Sequence, residues 1–521
     1  MSRLIKHIRD TYFSIDPRTL GLFRIFFGII IMADFLGRIP GIKTWYSNEG
    51  LLPNYTLLQH PMLDWNFSLF LAASTPGQAA IGFLICGIIF FCFLIGWRTR
   101  LFHVLSFICM LSLHGRNNYI ENASDIVRHI LCLWTFFLPL GQRYSVDSLL
   151  RSLPTGASIR TAAKHEPKPV VSLAVFALTI QLGIIYFFNA VQKNGIAWHH
   201  GTVIHYILFM DFQVTQFGLD VRNHFPLWIS KMLTWGTLVI EGSAPFLILS
   251  PVFTRYTRRI AIVSLSCLHI GMTFFMNLGL FSQTMLVYFI LLLSSEDILF
   301  LRNLAVRVCG VFRLDPSRFP IRIYGWLHRG VSIEAISAHP VTHRLRTYLS
   351  EAVVLFFIVV LGSDVLVTNN AIPKKLRLKQ PLLFEAIVGY AKLHQAWRLF
   401  APDPPASGGN IIVDATTVDG RHVDPYNAEA SDDITPTILK PQGYRCKDRF
   451  WNYYAFWIHN DPDSSVYLPA LRDWILRYKN RTGNPNDEIL AFEAFWDETI
   501  SPAPGENKPT RLRRAKLVVY P

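Results

Sequence analysis

Apolar residues run through this chain in long blocks instead of alternating with polar ones. The blocks Leu20–Leu36, Gly77–Trp97, Leu101–Leu113, Ile126–Leu140, Val170–Val191, Leu233–Leu249, Ile260–Met276, Leu278–Leu293 and Ala352–Val367 are long enough, or nearly so, to cross a bilayer. A crossing helix needs about 20 predominantly apolar residues. The third and fourth blocks are short by that measure and stand or fall as a pair. The pattern predicts an α-helical polytopic membrane bundle of about nine transmembrane helices.

Lysines and arginines test the count, because cytoplasmic loops carry most of them. With the amino terminus inside, the inside segments hold Arg3, Lys6, Arg9 and Arg18; Arg98 and Arg100; Arg143 to Lys168; Arg255, Arg258 and Arg259; and the arginines from Arg302 to Arg346. Outside loops are sparser, with Arg38 and Lys43, Arg116, then Lys193, Arg222 and Lys231. Against the pattern, Lys374, Lys375, Arg377 and Lys379 follow the ninth block on the outside. The expected location is an integral membrane protein of a bacterial inner membrane, amino terminus cytoplasmic and carboxyl-terminal domain non-cytoplasmic. The sequons at Asn54, Asn66, Asn122 and Asn480 then fall outside.

Residues 1–300 form one membrane unit in this reading, and 301–350 a basic segment. There arginines mix with Phe312, Phe319, Ile321, Ile323, Trp326 and Leu327, as in an interfacial amphipathic helix or a plain cytoplasmic connector. The ninth helix occupies 351–373. Beyond it Ile411 to Val418 alternates, turns at Asp419-Gly420 and returns through Val423, which predicts a hairpin. Leu468 to Tyr478 has helical spacing, and Ala515 to Tyr520 is placed to close a sheet. Residues 374–521 therefore read as a small α+β extramembrane domain.

Composition agrees with the membrane reading. The 521 residues are 51% hydrophobic and only 17% charged. The net charge of +14 sits in short segments between apolar blocks, and no basic patch interleaved with aromatics points to nucleic acid. Cys86, Cys92, Cys109, Cys132 and Cys267 lie inside apolar blocks, and with Cys309 and Cys446 they form no disulfide or zinc pattern. The polar, basic Met1–Arg18 precedes a block without a small-residue cleavage site, so that block reads as a retained first helix.

The segment Tyr186 to Trp198 ends an apolar run in a single lysine, Lys193. Low dielectric disfavours an ammonium ion, and a neutral amine is a base. Tyr186, Asn189 and Lys193 share one helix face, which places Asn189 to hydrogen-bond the amine. The alternative is a snorkelling lysine with its head in water. His269 lies within an apolar block, where an ionisable side chain usually faces the bundle interior or, when neutral, bonds a backbone carbonyl. Glu241 in another block needs a partner or a proton. Asp364 lies near the end of the ninth block, and no function attaches to it.

The outside loops collect the unusual polar residues: Tyr46 to Gly50; His114, Arg116 and Asn117; Lys193 to His205 including Trp198; and Asn277 within Met276 to Phe281. A shared pocket at the outer ends of the bundle is expected. His199, His200 and His205 match no established metal spacing, so no metal is expected. Phosphate-binding glycine loops, nucleophile elbows and zinc-protease motifs are absent from the sequence.

The segments Trp45-Tyr46-Ser47-Asn48-Glu49-Gly50-Leu51-Leu52-Pro53, Ser112-Leu113-His114-Gly115-Arg116-Asn117, Tyr144-Ser145-Val146-Asp147 and the lysine-to-tryptophan stretch resemble the HTTM membrane-domain family. That family includes vitamin K-dependent γ-glutamyl carboxylases. The similarity covers roughly Thr19 to Phe300, with a weaker echo at Phe400-Ala401-Pro402-Asp403-Pro404. It implies that Lys193 is the base that deprotonates reduced vitamin K, a menaquinol-like quinol, that Trp198 is the tryptophan after it, and that His269 matches a histidine of the carboxylases. Reaction with O2 would give an epoxide, and CO2 would add to a glutamate side chain of a secreted or membrane protein substrate.

The chain also departs from that pattern. Gln192-Lys193 replaces two adjacent lysines, Ser124 stands where a histidine is expected, and the substrate-docking region is much shorter. Two function classes follow: a quinol-dependent epoxidase with carboxylase-like chemistry, or a non-enzymatic membrane factor for maturation or export of a secreted protein. A transporter fits less well, since inverted repeats are not apparent.

Overall fold

The computed structural model describes residues 2–152, 168–311, 340–427, 429–430, 448–506 and 511–520. Six of its helices are long and apolar enough to cross a membrane: Pro17 to Tyr46, Pro76–Ile95, Leu173–Val191, Leu227–Leu249, Thr254–Phe275 and Arg344 to Thr368. A seventh crossing is Phe281–Ile290 with Ser295 to Leu304, if this pair, bent by 110°, counts as one span. The protein is thus a mostly helical integral membrane protein.

The third and fourth predicted crossings are helices, Thr99–Gly115 and Ala123–Thr135, but of 17 and 13 residues. Both are shorter than about 20 residues, and the described residues hold six candidate crossings, or seven with the bent pair, where nine were expected. The second of them is buried at 11 of its 13 positions, so it serves as an interior helix rather than a lipid-facing one. Other boundaries shift too. The sixth and seventh helices begin earlier, at Leu227 and Thr254, and the eighth breaks after Ile290. Residues 312–339, which include Phe312, Phe319, Ile321, Ile323, Trp326 and Leu327, lie outside the described residues.

Local chemistry explains the helix ends. Asp16 caps the first long helix through the Arg18 N–H, and Pro17 starts it. Thr75 and Gln78 form a capping box ahead of Pro76–Ile95, which ends at Gly96 with φ 72°. A Cβ at Gly96 would strike the Arg24 guanidinium, so the position needs glycine for space as well as for conformation. Asn122 and Asp125 make a second capping box for Ala123–Thr135. The amino-terminal segment forms a helix, Ser2–Tyr12, followed by strand β1 (Ser14–Ile15), which pairs with β2 (Val170–Val171).

Beyond the last long helix, a five-stranded antiparallel sheet is formed by β3 (Ser407–Thr417), β4 (His422–Asp424), β5 (Glu429–Ala430), β6 (Ile489–Ile500) and β7 (Arg511–Tyr520), in the order β5-β4-β3-β6-β7. The expected hairpin is present: Thr416 pairs with His422, and Gly420 takes φ 82° in the turn. Leu468–Leu476 is helical, and β7 closes one edge. The strand β6, between β3 and β7, was not read from the sequence, nor was the helix Arg449–Asn460.

The sheet region shares a core with the bundle. Trp45 packs on Trp451 with ring centroids 5.0 Å apart, Tyr119 donates to Asp461 at 2.6 Å, and Tyr467 donates to the His60 carbonyl at 2.9 Å. Each of the four polar loops touches this region. Arg477 donates to the Asn48 and Gly50 carbonyls, Lys392 to Asn118, Asp403 accepts from Ile196 and Ala197, and Arg449 lies against Gly279. The carboxyl-terminal region therefore covers the end of the bundle where these loops gather.

Candidate functional site

Lys193 lies two residues beyond Val191, the last residue of its helix, and is 7% exposed. Its amine is ion-paired with Glu241 of Leu227–Leu249 and sits 4.6 Å from the ring centroid of Trp198. The snorkelling alternative is thereby replaced by an enclosed amine.

Asn189 does not hold the amine, as the helical spacing suggested. Its Nδ2 donates to Glu241 Oε1 at 3.0 Å, and its Oδ1 accepts from the Leu399 N–H at 2.9 Å. It orients the carboxylate, and the carboxylate holds the lysine. Tyr186 and His269 form a second pair, with the hydroxyl 2.7 Å from Nε2, so the histidine bonds a side chain rather than a backbone carbonyl. His269 is 2% exposed, its Nδ1 has no hydrogen bond, and the rings of Phe281 and Phe289 lie 5.6 and 5.8 Å from it.

A strap formed by residues 392–403 closes over this site. Gln192 donates to the Trp397 carbonyl at 2.7 Å, Gln181 to Gln395 at 2.7 Å, and Trp198 Nε1 to the Phe400 carbonyl at 2.9 Å. Asp364 accepts from the Gln395 N–H at 2.7 Å. A largely apolar groove of about 450 Å³ runs between the helices that carry Asn189 and Glu241, lined by Ile180, Gly183, Ile184, Phe187, Pro245 and Phe246 among others.

Of the other predicted residues, Tyr46 and His114 join a separate charged cluster, whereas Arg116, Asn117 and Asn277 are held elsewhere. Asp34 and Arg38 of the first long helix meet His114, Asp125 and Arg128, all 4% exposed or less. Asp34 Oδ2 accepts from Arg38 Nε at 2.7 Å, and Arg38 Nη1 donates to the Tyr46 hydroxyl at 3.0 Å. Arg128 is paired with Asp125, and His114 Nδ1 lies 3.0 Å from His129 Nε2. Arg449, from the carboxyl-terminal region, donates to Asp34 Oδ1 at 2.6 Å. Arg116 is fully buried and donates to the Leu52 carbonyl, while Asn117 caps Tyr119. Asn277 stays in its loop, its N–H on the Gln213 carbonyl.

Asp34, His114 and Asp125 bring ligand-type atoms within 4.8 Å of one another. Three guanidinium groups already surround the two carboxylates, so a resident cation would meet repulsion rather than a free ligand set. His199 and His200 are exposed, and His205 faces the Pro502 carbonyl; they do not converge. Of the sequons, Asn54 is buried with its amide on two carbonyls, Asn66 is bonded to Gly115 and Asn122 is a helix cap, whereas Asn480 is exposed.

Sequence reading missed Asp34, Arg38, Asp125, Arg128 and Arg449. The first two carried a usable signal, an acid inside the apolar block Leu20–Leu36 and a base four residues on at its edge, since charge within a membrane helix is costly unless paired. Arg449 carried none, because its partner is 415 positions away.

Long apolar helices enclosing paired ionisable groups define a polytopic membrane protein with a buried polar interior. More particularly, the chain belongs to the HTTM domain family, whose model matches residues 12–296. Comparison with curated proteins and with solved structures gave no match.

Proposed function

We propose that this protein is a membrane-embedded, quinol-dependent enzyme in which Lys193 serves as the base, oriented towards the non-cytoplasmic face of a bacterial inner membrane. The observation that carries the reading is the enclosed Lys193 amine, with Glu241 as its ionic partner among the described residues and Trp198 as a wall. Reduced vitamin K or a similar quinol, when bound, would supply the electrons that turn O2 into an epoxide oxygen and water, and the strong base needed to open a glutamate γ-carbon to CO2.

The residues present fit such a group. An aromatic diol needs flat apolar walls and hydrogen-bond partners for its hydroxyls. Trp198, Phe281 and Phe289 offer the walls, and His269 Nδ1 is a buried nitrogen without a partner. Lys193 is the base in this reading, and Asn189 fixes the Glu241 carboxylate that orients its amine. Tyr186 holds His269 in place through its hydroxyl. The strap excludes water, which would quench a strong base. The groove between the same two helices suits an isoprenoid tail arriving from the bilayer.

The test is direct. Purified protein given vitamin K hydroquinone and O2 is expected to form epoxide, read by mass spectrometry, and Lys193→Ala is expected to abolish it. Absence of epoxide in the parent, with Lys193→Ala indistinguishable from it in every assay, would remove the enzymatic reading in favour of a maturation or export factor. Labelled CO2 with a glutamate peptide then decides whether carboxylation follows.

A further inference from the structure

A cavity of about 740 Å³ lies where the Arg98–Thr99 turn, the loop after Phe136 and the start of the last long helix come together. The helix Pro76–Ile95 begins beside Ser74, whose carbonyl accepts from Asn48 at the end covered by the carboxyl-terminal region. Its 20 residues, rising about 1.5 Å each, carry the chain across a bilayer's depth to Gly96. The cavity therefore sits at the opposite end of the bundle.

Its charge is one-sided. Arg98, Arg100, Arg151 and Arg346 line it against one acid, Asp147, and none of the four is ion-paired among the described residues. The Asp147 carboxylate is taken up by the Arg98 and Thr99 N–H groups and the Thr99 hydroxyl, at 2.8, 2.8 and 2.6 Å. A wider count keeps the excess: Glu351, beside the lining Ser350, accepts from the Leu173 N–H, and the buried Arg24 adds a further cation. Burial, and then the charge of Arg346, push the Arg100 guanidinium below its ordinary value. Two like charges on one cavity wall call for an anion between them.

The rest of the lining is apolar. Leu101 and Val104, three apart on one helix face, are 48% and 47% exposed beside the arginines, and Phe136 and Phe137 extend the wall. Trp97, its ring 5.6 Å from the Arg98 guanidinium, is of the residue type that marks the boundary between headgroups and hydrocarbon. Guanidinium forks match phosphate oxygens, whereas the apolar wall matches an acyl chain. A free phosphate would use only half of this lining.

We infer that the cavity holds an anionic phospholipid, its phosphate between Arg100 and Arg346 and its acyl chain along Leu101 and Val104. The inference does not rest on the chemistry of Lys193, and its test reads lipid binding, not turnover.

The experiment places the intact protein in nanodiscs of equal phosphatidylglycerol and phosphatidylcholine and reads the retained lipid by native mass spectrometry. Preferential retention of phosphatidylglycerol is expected, unaffected by inorganic phosphate in the buffer. Arg100→Gln and Arg346→Gln are each expected to weaken it about fivefold. A control variant carrying Arg3→Gln and Lys6→Gln, which loses exposed charge from the amino-terminal helix, is expected to retain it as the parent does. Thermal unfolding separates binding from folding, because a ligand of the folded state raises Tm. Arg100→Gln should match the parent in pure phosphatidylcholine and lack the rise that phosphatidylglycerol gives the parent. Should Arg100→Gln fail to fold, Arg346→Gln, at an exposed position, carries the same comparison. Equal retention of the two lipids, displacement by inorganic phosphate, an equal loss in the control variant, or parental retention in Arg346→Gln would overturn the assignment.

Discussion

Lys193 and Glu241, 48 positions apart, form an ion pair with side chains only 3% and 7% exposed, and Asn189 fastens the carboxylate to the strap at Leu399. A buried pair is fragile to the loss of one partner, because the other is left as an uncompensated charge, typically at about 3–5 kcal/mol. Lys193→Met and Glu241→Met are each expected to lower Tm in detergent substantially. The double substitution is expected to be milder than the sum, since it leaves no orphan charge. Additive losses across that cycle would show that the two side chains are not coupled.

Asp403 ties the strap to the segment after Lys193. Its carboxylate accepts from the Ile196 and Ala197 N–H groups at 3.0 and 2.9 Å, as a cap does at a helix start. Asp403→Ala is expected to cost about 1 kcal/mol. Hydrogen exchange is the informative readout, because the Ile196 and Ala197 amides should exchange faster while those within Leu173–Val191 stay protected. Unchanged exchange at both amides would mean that the strap is held elsewhere.

The long helices were legible because their apolar blocks are nearly continuous, and the Asp419-Gly420 turn because only a few residue types suit it. The two short blocks were the least legible as crossings because of their length, and they form an interior helix and its neighbour. Helix spacing brought Tyr186, Asn189 and Lys193 to one side, yet it did not show that Asn189 turns to Glu241, since Glu241 arrives from another helix. The charged cluster was least legible. It needs Arg449 from a helix that sequence pattern did not reveal, and its unmet donors exist only in three dimensions.

Gly279 allows that arginine to reach Asp34. The residue has φ 62°, and a Cβ there would collide with the Arg449 guanidinium. Gly279→Ala is expected to be destabilising by about 1–2 kcal/mol for the left-handed backbone, with a further loss as Arg449 is displaced from Asp34. Thermal unfolding of Gly279→Ala, Arg449→Ala and their double variant separates the terms. The double variant should be less destabilised than the sum, and strict additivity would rule out the contact as the cause.

Stability should also depend on pH through Asp424, which lies in the sheet region outside the membrane helices. Burial pushes its carboxyl up to about 6 from an ordinary 3.8, opposed by hydrogen bonds from Asn427 and from the Tyr426 and Asn427 N–H groups. The folded form therefore holds the proton more tightly than the unfolded one. Its contribution is fully present below pH 3.8 and is lost as pH rises through about 6. Since one pKa unit corresponds to 1.36 kcal/mol, the loss is at most about 3 kcal/mol. In the pH interval from 4 to 6.5, Asp424→Ala should flatten this part of the profile measured by thermal unfolding of the intact protein. A profile with the same slope in parent and variant would show that another group carries the dependence.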